Sequence, residues 1–185
     1  MLRPSYPIRT ARLQLRPFTP GDLAAFHAIH SHPEVTRYLY WEPHTRDESV
    51  LSLQRKSASA ELTEPGETLA LAVELTESRE LIGDLTLQWI SAEHDSGEIG
   101  VVFDPRHHGH GYAAEATREL LKLSFDGLGL HRVIGRCDAR NIASASLMEG
   151  LGMRREAHLR ENERVKGEWT DELVYAMLAT EWTRR

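Results

Sequence analysis

A predicted strand that runs through a glycine-bearing loop directly into a helix constrains the fold of this chain more than any other segment. The strand ends with Val101-Val102-Phe103, and the loop follows as Asp104-Pro105-Arg106-His107-His108-Gly109-His110-Gly111. The helix begins at Tyr112. The first amide groups of a helix have no partner within it, and the helix dipole adds about half a positive charge there. The segment therefore predicts an anion-binding turn.

The alternation of strand and helix patterns predicts a mixed α/β sheet within a single domain that covers residues 1–185. Three adjacent strands with short links, over 68–103, predict an antiparallel meander. A Thr45–Glu48 capping box marks the second helix, and Lys166-Gly167 marks a final hairpin. The predicted strands cover 11–18, 68–75, 81–90, 97–103, 132–138, 154–165 and 169–178, and the predicted helices cover 23–30, 45–62, 112–125 and 141–149.

Composition excludes several classes of protein. The 22 basic and 28 acidic residues give a net charge of −6, which argues against a general nucleic-acid surface. The chain has neither the roughly 20 consecutive apolar residues of a membrane span nor the apolar core of a secretory signal. Cys137 is the only cysteine, so no intrachain disulfide forms, and we expect a cytoplasmic protein. On its strand, Cys137 is expected to be a small core residue.

The loop from Arg106 to Gly111 leaves two readings open. Gly109 and Gly111 let an anion approach the backbone, with Arg106 as an extra charge, but they also suit a simple strand-to-helix turn. A dinucleotide-binding loop is disfavoured because Ala114 replaces the third glycine of that motif. His107, His108 and His110 resemble a metal cluster but lack supporting carboxylate or cysteine ligands, so we expect no metal.

The loop resembles the Q/R-x-x-G-x-G/A signature by which GNAT acetyltransferases bind the pyrophosphate of coenzyme A. Further along, Asn141-Ile142-Ala143-Ser144 and the later Leu147-Met148-Glu149-Gly150-Leu151-Gly152-Met153 resemble a second segment of that family. Three other segments resemble the subgroup typified by ribosomal-protein alanine acetyltransferases (RimJ/RimL type): Thr10-Ala11-Arg12-Leu13-Gln14-Leu15-Arg16, Tyr38-Leu39-Tyr40-Trp41 and Gly167-Glu168-Trp169-Thr170-Asp171. The resemblance covers nearly the whole chain.

The resemblance implies a GNAT fold, with a mixed sheet of about seven strands and about four helices. The sheet is splayed between the fourth strand, 97–103, and the fifth, 132–138, where the pantetheine arm of acetyl-CoA inserts. Gly100 is expected to hold a β-bulge that helps this separation. The residues implied in cofactor binding are Val101, Val102, Phe103, Arg106, His107, His108, Gly109, His110, Gly111, Tyr112, Asn141 and Ser144.

The implied reaction is direct attack of a neutral amine on the acetyl carbonyl, within a ternary complex. By the RimL pattern Glu163 is one candidate base, and Glu98 beside the splayed strand is the other. Ser144 matches the serine that protonates the leaving thiolate. Each assignment has a plain alternative: the glutamates suit a solvated surface, and Asn141 and Ser144 suit the cap of a helix.

The sequence thus predicts an acetyl-CoA-dependent N-acetyltransferase that acts on a protein N-terminal α-amine or a small amine. Loss of a proton at pH 7 costs an α-amine about 1.4 kcal/mol and a lysine roughly 4.6 kcal/mol, which favours the α-amine slightly. A larger donor such as succinyl-CoA and a non-catalytic CoA-binding regulatory module are the alternatives.

The family implies a possible homodimer. Four aromatic residues are candidates for the acceptor pocket or the core: Tyr38, Tyr40, Trp41 and Trp169.

Overall fold

The computed structural model describes residues 1–183. Its strands are β1 (Ile8–Arg9), β2 (Leu13–Arg16), β3 (Thr68–Leu75), β4 (Leu81–Ser91), β5 (Ser96–Phe103), β6 (Arg132–Asp138), β7 (Arg154–Val165) and β8 (Glu168–Leu178). Its α-helices are α1 (Leu23–His30), α2 (Pro33–Thr36), α3 (Arg46–Ala58), α4 (Tyr112–Lys122), α5 (Ile142–Gly150) and α6 (Ala179–Trp182). Short 3-10 segments cover Pro20–Asp22 and Pro105–His107, and a π-helical turn, Leu123–Gly127, extends α4.

All eight strands form one sheet in the order β1-β2-β3-β4-β5-β6-β8-β7. Neighbouring strands are antiparallel except β5 and β6, which run parallel. The predicted mixed α/β sheet and its meander, β3-β4-β5, are confirmed. The eighth strand is β1, which pairs with β2 through only two residues and is too short to leave a periodic pattern. The four-residue helices α2 and α6 were missed for the same reason.

The ends of the predicted elements are set by local hydrogen bonds. Thr45 caps α3 with the predicted capping box: its amide donates to Glu48 Oε2 at 2.7 Å, and its hydroxyl accepts from the Glu48 amide. The prediction that α3 reaches Leu62 was wrong, because Leu62 instead exchanges two backbone hydrogen bonds with Leu2. The hairpin turn at Lys166 and Gly167 is confirmed, and both residues have positive φ.

The sheet has an apolar core on each face. Alternate residues of β3 divide between them: Leu69 and Leu71 enter the core under α4 and α5, whereas Ala70 packs toward α1 and α3. Helix α4 buries Ala116 and Leu120, and Thr117 and Leu121, each pair four residues apart, and each leucine contributes about 2 kcal/mol relative to exposure. No helix within residues 1–183 is long and apolar enough to cross a bilayer.

The parallel ladder between β5 and β6 covers only the first half of each strand. Its last pair is Ile99 with Gly135. Beyond this pair β5 stays on β4 as far as Phe103, and β6 stays on β8 as far as Asp138. The predicted separation of these two strands is confirmed.

Gly100 does not hold the predicted bulge. It stands in register with Thr86 of β4, and that ladder shifts only between Trp89 and Ser91. A Cβ at Gly100 would lie 2.5 Å from the Thr86 hydroxyl oxygen, so the glycine makes room for a neighbouring side chain. The strands separate because, beyond Ile99 and Gly135, β5 continues to pair only with β4 and β6 continues to pair only with β8.

Gly83→Ala is expected to lower the free energy of unfolding by about 2 kcal/mol, because the added Cβ would meet β5. It would lie 2.5 Å from the Val102 carbonyl oxygen and 2.8 Å from the Phe103 ring. The matched control is Gly150→Ala, where the Cβ meets nothing within 4 Å and stability should rise by about 0.5 kcal/mol. Urea unfolding measures both, and equal stability of Gly83→Ala and wild type would contradict the packing.

Candidate active site

A cleft of about 1210 Å³ opens where β5 and β6 separate. Its walls come from these two strands, the loop after β5, the start of α4, the start of α5, the β7–β8 hairpin and the segment between α2 and α3. Most of the residues predicted for the site line it: Glu98, Val101, Val102, Phe103, His107, His108, Gly109, Gly111, Tyr112, Asn141, Ser144 and Glu163.

The second half of β5 presents backbone groups to the cleft. The Asp104 amide donates to the Ile82 carbonyl of β4 at 2.9 Å, so every second peptide group faces β4. The amides and carbonyls of Val101 and Phe103 therefore face the opposite side. Among residues 1–183 no strand pairs with β5 on that side beyond Ile99. This edge can hydrogen-bond an extended ligand much as a strand would.

The loop after β5 ends in an open helix start. Gly109 and Gly111 both have a φ of +78°, a conformation that glycine adopts without strain, and Gly111 is the N-cap of α4. The first amides of α4 lack partners within the helix and lie at the cleft. The Arg12 guanidinium lies 4.6 Å from the centre of the Tyr112 ring, but Glu115 pairs with it at 2.7 Å, so the backbone amides are the main donors here. These features form a site for a phosphate-bearing group.

Arg106 and His110 are the two predicted site residues that do not line the cleft. The Arg106 guanidinium is 70% exposed and bonds to Asp104 Oδ2 at 2.7 Å. Burial alone would raise the pKa of Asp104, but the hydrogen bonds from Arg106 outweigh it and lower that pKa. His110 stacks on Tyr112 at 5.5 Å. The sequence analysis did not predict that Asp104, two residues earlier, forms an ion pair with Arg106.

The neighbouring histidines bind protein groups. His107 Nε2 lies 3.4 Å from Glu80, and His108 Nε2 lies 3.3 Å from the Phe103 carbonyl. Within residues 1–183 no group of three or more His, Cys, Asp or Glu side chains is arranged to hold a metal ion.

Asn141 and Ser144 lie together at the start of α5. Asn141 Oδ1 accepts a hydrogen bond from the Ser144 amide at 3.1 Å, so Asn141 caps this helix. The Ser144 side chain hydrogen-bonds the Cys137 thiol, whose pKa is raised by burial. Cys137, predicted as a core residue, packs at the edge of the core and also lines the cleft.

Carboxylates gather near the point where β5 and β6 separate. Glu98 of β5 accepts from Arg136 Nε of β6 at 3.0 Å. Glu163 on β7 hydrogen-bonds the Tyr40 hydroxyl. Glu172 of β8, which sequence reasoning missed, lies between them: Arg136 is 3.5 Å away, and Tyr40 donates to it at 3.4 Å. Three carboxylates and one arginine thus cluster in this part of the cleft, whose lining also includes other charged side chains.

The missed residue left a weak signal in the sequence. Glu172 shares a strand face with Val174 and Ala176, so a carboxylate interrupts an apolar face. Only 5% of Glu172 is exposed. Burial and the negative charges of Glu163 and Glu98 raise its pKa, in spite of Arg136 and Tyr40.

The pairing of β7 with β8 is irregular beside Glu172. Pairing with β8 shifts between Leu159 and Glu163, which leaves extra residues on β7. Asn162, within this bulge, donates from Nδ2 to Glu172 Oε2 at 3.1 Å. Bulges of this kind redirect side chains, and here Glu163 turns toward the cleft.

A buried ionic cluster supports the wall formed by α1 and α3. Asp84 of β4 accepts from His30 Nε2 at 2.7 Å and from Lys56 Nζ at 2.8 Å. Burial alone would raise the pKa of Asp84, but Lys56 and His30 outweigh it and lower that pKa. Trp41 and His44 stack near His30.

Three of the four candidate aromatic residues line the cleft: Tyr38, Tyr40 and Trp41. The fourth, Trp169, is 62% exposed and lies outside it.

Comparison with known proteins identifies the class to which this fold and cleft belong. The acetyltransferase (GNAT) domain profile matches residues 12–154. The uncharacterized N-acetyltransferase YnaD of Bacillus subtilis is 33% identical over 95% of this chain and 98% of its own. A GNAT-family acetyltransferase structure from Bacillus anthracis is 31% identical, with a TM-score of 0.85, over 94% of this chain and 99% of that one.

A third similar structure is the spermidine N-acetyltransferase of Vibrio cholerae in complex with CoA and spermine. It is 26% identical, with a TM-score of 0.78, and the match covers 94% of this chain and 99% of that one. The chain belongs to the GNAT family, and the protein is an N-acetyltransferase. GNAT acetyltransferases use acetyl-CoA as the donor.

Asp84→Asn is expected to lower the free energy of unfolding at pH 7 by about 3 kcal/mol, because His30 and Lys56 lose their buried acidic partner. The folded-state pKa of Asp84 lies below its unfolded value of about 3.9. Its contribution is therefore complete above about pH 4 and disappears as the pH falls through the folded-state pKa. Urea unfolding between pH 3 and 7 should show the difference shrinking toward the acid end.

The control for this measurement is Glu93→Gln in an exposed turn, where stability should not change. Equal stability of Asp84→Asn and wild type at pH 7 would contradict the stabilising role of the cluster.

Proposed function

We propose that this protein is a RimJ/RimL-type acetyltransferase that moves the acetyl group of acetyl-CoA to a primary amine by direct attack in a ternary complex. The observation that carries the proposal is the cleft between β5 and β6, with an unpaired backbone edge on one side and carboxylates on the other. Its amine acceptor is a protein N-terminus or a small molecule. Motifs at both ends of the chain support the subgroup.

The residues of the cleft fit acetyl-CoA. The positive φ of Gly109 and Gly111 and the open start of α4 suit the pyrophosphate, with Tyr112, His107 and His108 beside it. The unpaired peptide groups of β5 suit the amides of pantetheine, and Asn141 and Ser144 border the same space. Bound there, the cofactor supplies an activated acetyl thioester.

Three side chains are placed for proton transfer. Glu163 and Glu98 both line the cleft and serve as candidate bases for the amine. Glu98 is held by Arg136, whereas Glu163 meets Tyr40. Ser144, at the start of α5, lines the same cleft and can donate its hydroxyl proton to the departing thiolate.

A local cluster of carboxylates in the cleft favours a positively charged acceptor. Glu98, Glu163 and Glu172 lie together with one arginine, Arg136, and further acidic and basic side chains line the rest of the cleft. An ammonium group is attracted to such a surface, and a carboxylate-bearing acceptor is repelled. The similar spermidine N-acetyltransferase of Vibrio cholerae, whose structure holds CoA and spermine, supports testing polyamines beside peptides.

Gly111→Ala is expected to weaken coenzyme A binding about tenfold, because a Cβ at φ +78° strains the loop by about 1–2 kcal/mol. Gly129→Ala is the matched control: its φ is +77° and it lies away from the cleft. It should lose similar stability but keep the affinity for coenzyme A. Isothermal titration calorimetry of the folded variants measures the two affinities for coenzyme A. An equal loss of affinity in the two variants would contradict a phosphate-binding site at Gly111.

Thiol release with acetyl-CoA is expected with polyamines or with peptides beginning with Ala, Ser or Met. Wild type is compared with Glu163→Gln and Glu98→Gln, and aminoglycosides complete the panel. Turnover on one class of amine, reduced about 100-fold in one variant, would support the proposal and identify a base. Coenzyme A binding with no release for any amine would count against it.

The donor is tested in the same assay. Succinyl-CoA replaces acetyl-CoA, with the best amine held constant. We expect acetyl-CoA to be the faster donor. Faster release from succinyl-CoA would overturn the acetyl assignment and leave the amine assignment in place.

A further inference from the structure

Glu172 occupies a distinct position in the cluster of carboxylates that it forms with Glu98 and Glu163. It lies on β8 opposite Asp138 of β6, beside the point where β6 leaves β5. Its side chain lines the cleft although only 5% of the residue is exposed. A carboxylate buried this deeply, yet open to a cleft, can approach a ligand with little intervening water.

The hydrogen bonds of Glu172 leave one oxygen weakly held. Oε2 accepts from Asn162 at 3.1 Å, whereas Oε1 has only two long contacts, 3.4 Å to the Tyr40 hydroxyl and 3.5 Å to Arg136. Glu98, by contrast, accepts from the same arginine at 3.0 Å. The short ion pair of Arg136 belongs to Glu98, so this cation neutralises Glu172 less than it neutralises Glu98.

We propose that Glu172 is a catalytic residue that accepts the proton of the attacking amine, with Oε1 as the receiving atom. The inference rests on the proposed function and names a group that neither the motifs nor the similar proteins indicate. Glu98 and Glu163 then contribute negative charge and attract the ammonium form of the acceptor.

The charges that face Glu172 adjust its acidity for this task. Its pKa is raised by burial and by Glu163 and Glu98, and it is lowered by Arg136 and Tyr40; the net direction is upward. A base is most effective when its pKa approaches the working pH. These neighbours are Glu98 on β5, Arg136 and Cys137 on β6, Glu163 on β7 and Tyr40 between α2 and α3, and Asp138 of β6 stands directly opposite Glu172.

The step balances in atoms and charge. The ammonium nitrogen gives one proton to Glu172 Oε1, and its freed electron pair forms the bond to the acetyl carbon. The carbon–sulfur bond breaks, and its electron pair leaves with sulfur, which takes a proton from Ser144. Proton transfer from Glu172 to water and from water to Ser144 restores both groups. The nitrogen loses its second proton to water, so the products are the acetamide, the free thiol and one proton in solution.

The test is the pH dependence of kcat/KM in Glu172→Gln, with the amine that wild type uses best. For wild type, kcat/KM should rise with pH as Glu172 loses its proton (the acid limb) and then reach a plateau. The variant should be about 100-fold slower at pH 7, and its rate should rise about tenfold per pH unit as free amine appears. The two rates should therefore converge at high pH, and the affinity for coenzyme A should be unchanged.

Two variants serve as controls. Glu168→Gln lies on the same strand, with its carboxylate 74% exposed, and should keep the wild-type profile. Glu163→Gln should retain an acid limb even where its KM rises, but the limb should move to lower pH because Glu163 no longer raises the pKa of Glu172. A uniform loss for Glu172→Gln at every pH, or loss of the acid limb in Glu163→Gln in its place, would overturn the assignment.

A second variant covers the case in which Glu172→Gln fails to fold. Tyr40→Phe removes a hydrogen bond that lowers the pKa of Glu172, so the acid limb should move to higher pH. Because Tyr40 also bonds Glu163, the shift is measured in the Glu163→Gln background. An acid limb that stays at the same pH would count against Glu172.

Turnover by wild type with an unchanged pH profile in Glu172→Gln refutes this inference alone. A wild type that is inactive on all amines refutes the proposed function.

Discussion

The separation of β5 from β6 beyond Ile99 and Gly135 is the constraint on which the rest of the cleft depends. Each strand keeps its other partner along its whole length, so the sheet opens without losing its outer ladders. The open edge exposes peptide groups that would be hydrogen-bonded to a neighbouring strand in a continuous sheet. Gly135 contributes at the apex, because a Cβ there would lie 2.9 Å from the sulfur of Met148, whose side chain fills this side of the core.

The two sides of this opening carry different chemistry because they are built from different elements. The loop and the start of α4 supply positive φ glycines and the first backbone amides of the helix. The β7–β8 hairpin and Tyr40 supply carboxylates and a phenol. An anionic donor and a cationic acceptor can therefore approach one another from opposite ends, each attracted to the surface it meets. This polarity is consistent with transfer between two bound substrates.

Much of the fold was predictable because its signals are local. The meander, the Thr45 cap and the Lys166-Gly167 turn each depend on a few adjacent residues, and the structure confirms them. The bulge at Gly100 was wrong, because a strand glycine has several uses and only the position of Thr86 decides between them. The cleft brings together Glu98, Glu163 and Ser144, but their roles remain predictions.

The sequence by itself determined the order of the elements, the glycine-bearing turn into α4 and the family, since each depends on residue types at short spacing. Only the tertiary structure decided which side chains meet. It paired Arg106 with Asp104, turned Glu163 toward the cleft through a bulge and buried Glu172 beside Arg136. Those contacts join residues up to 132 positions apart, as between Tyr40 and Glu172. The pKa of a carboxylate depends on such contacts because burial and neighbouring charge act through space and not along the chain.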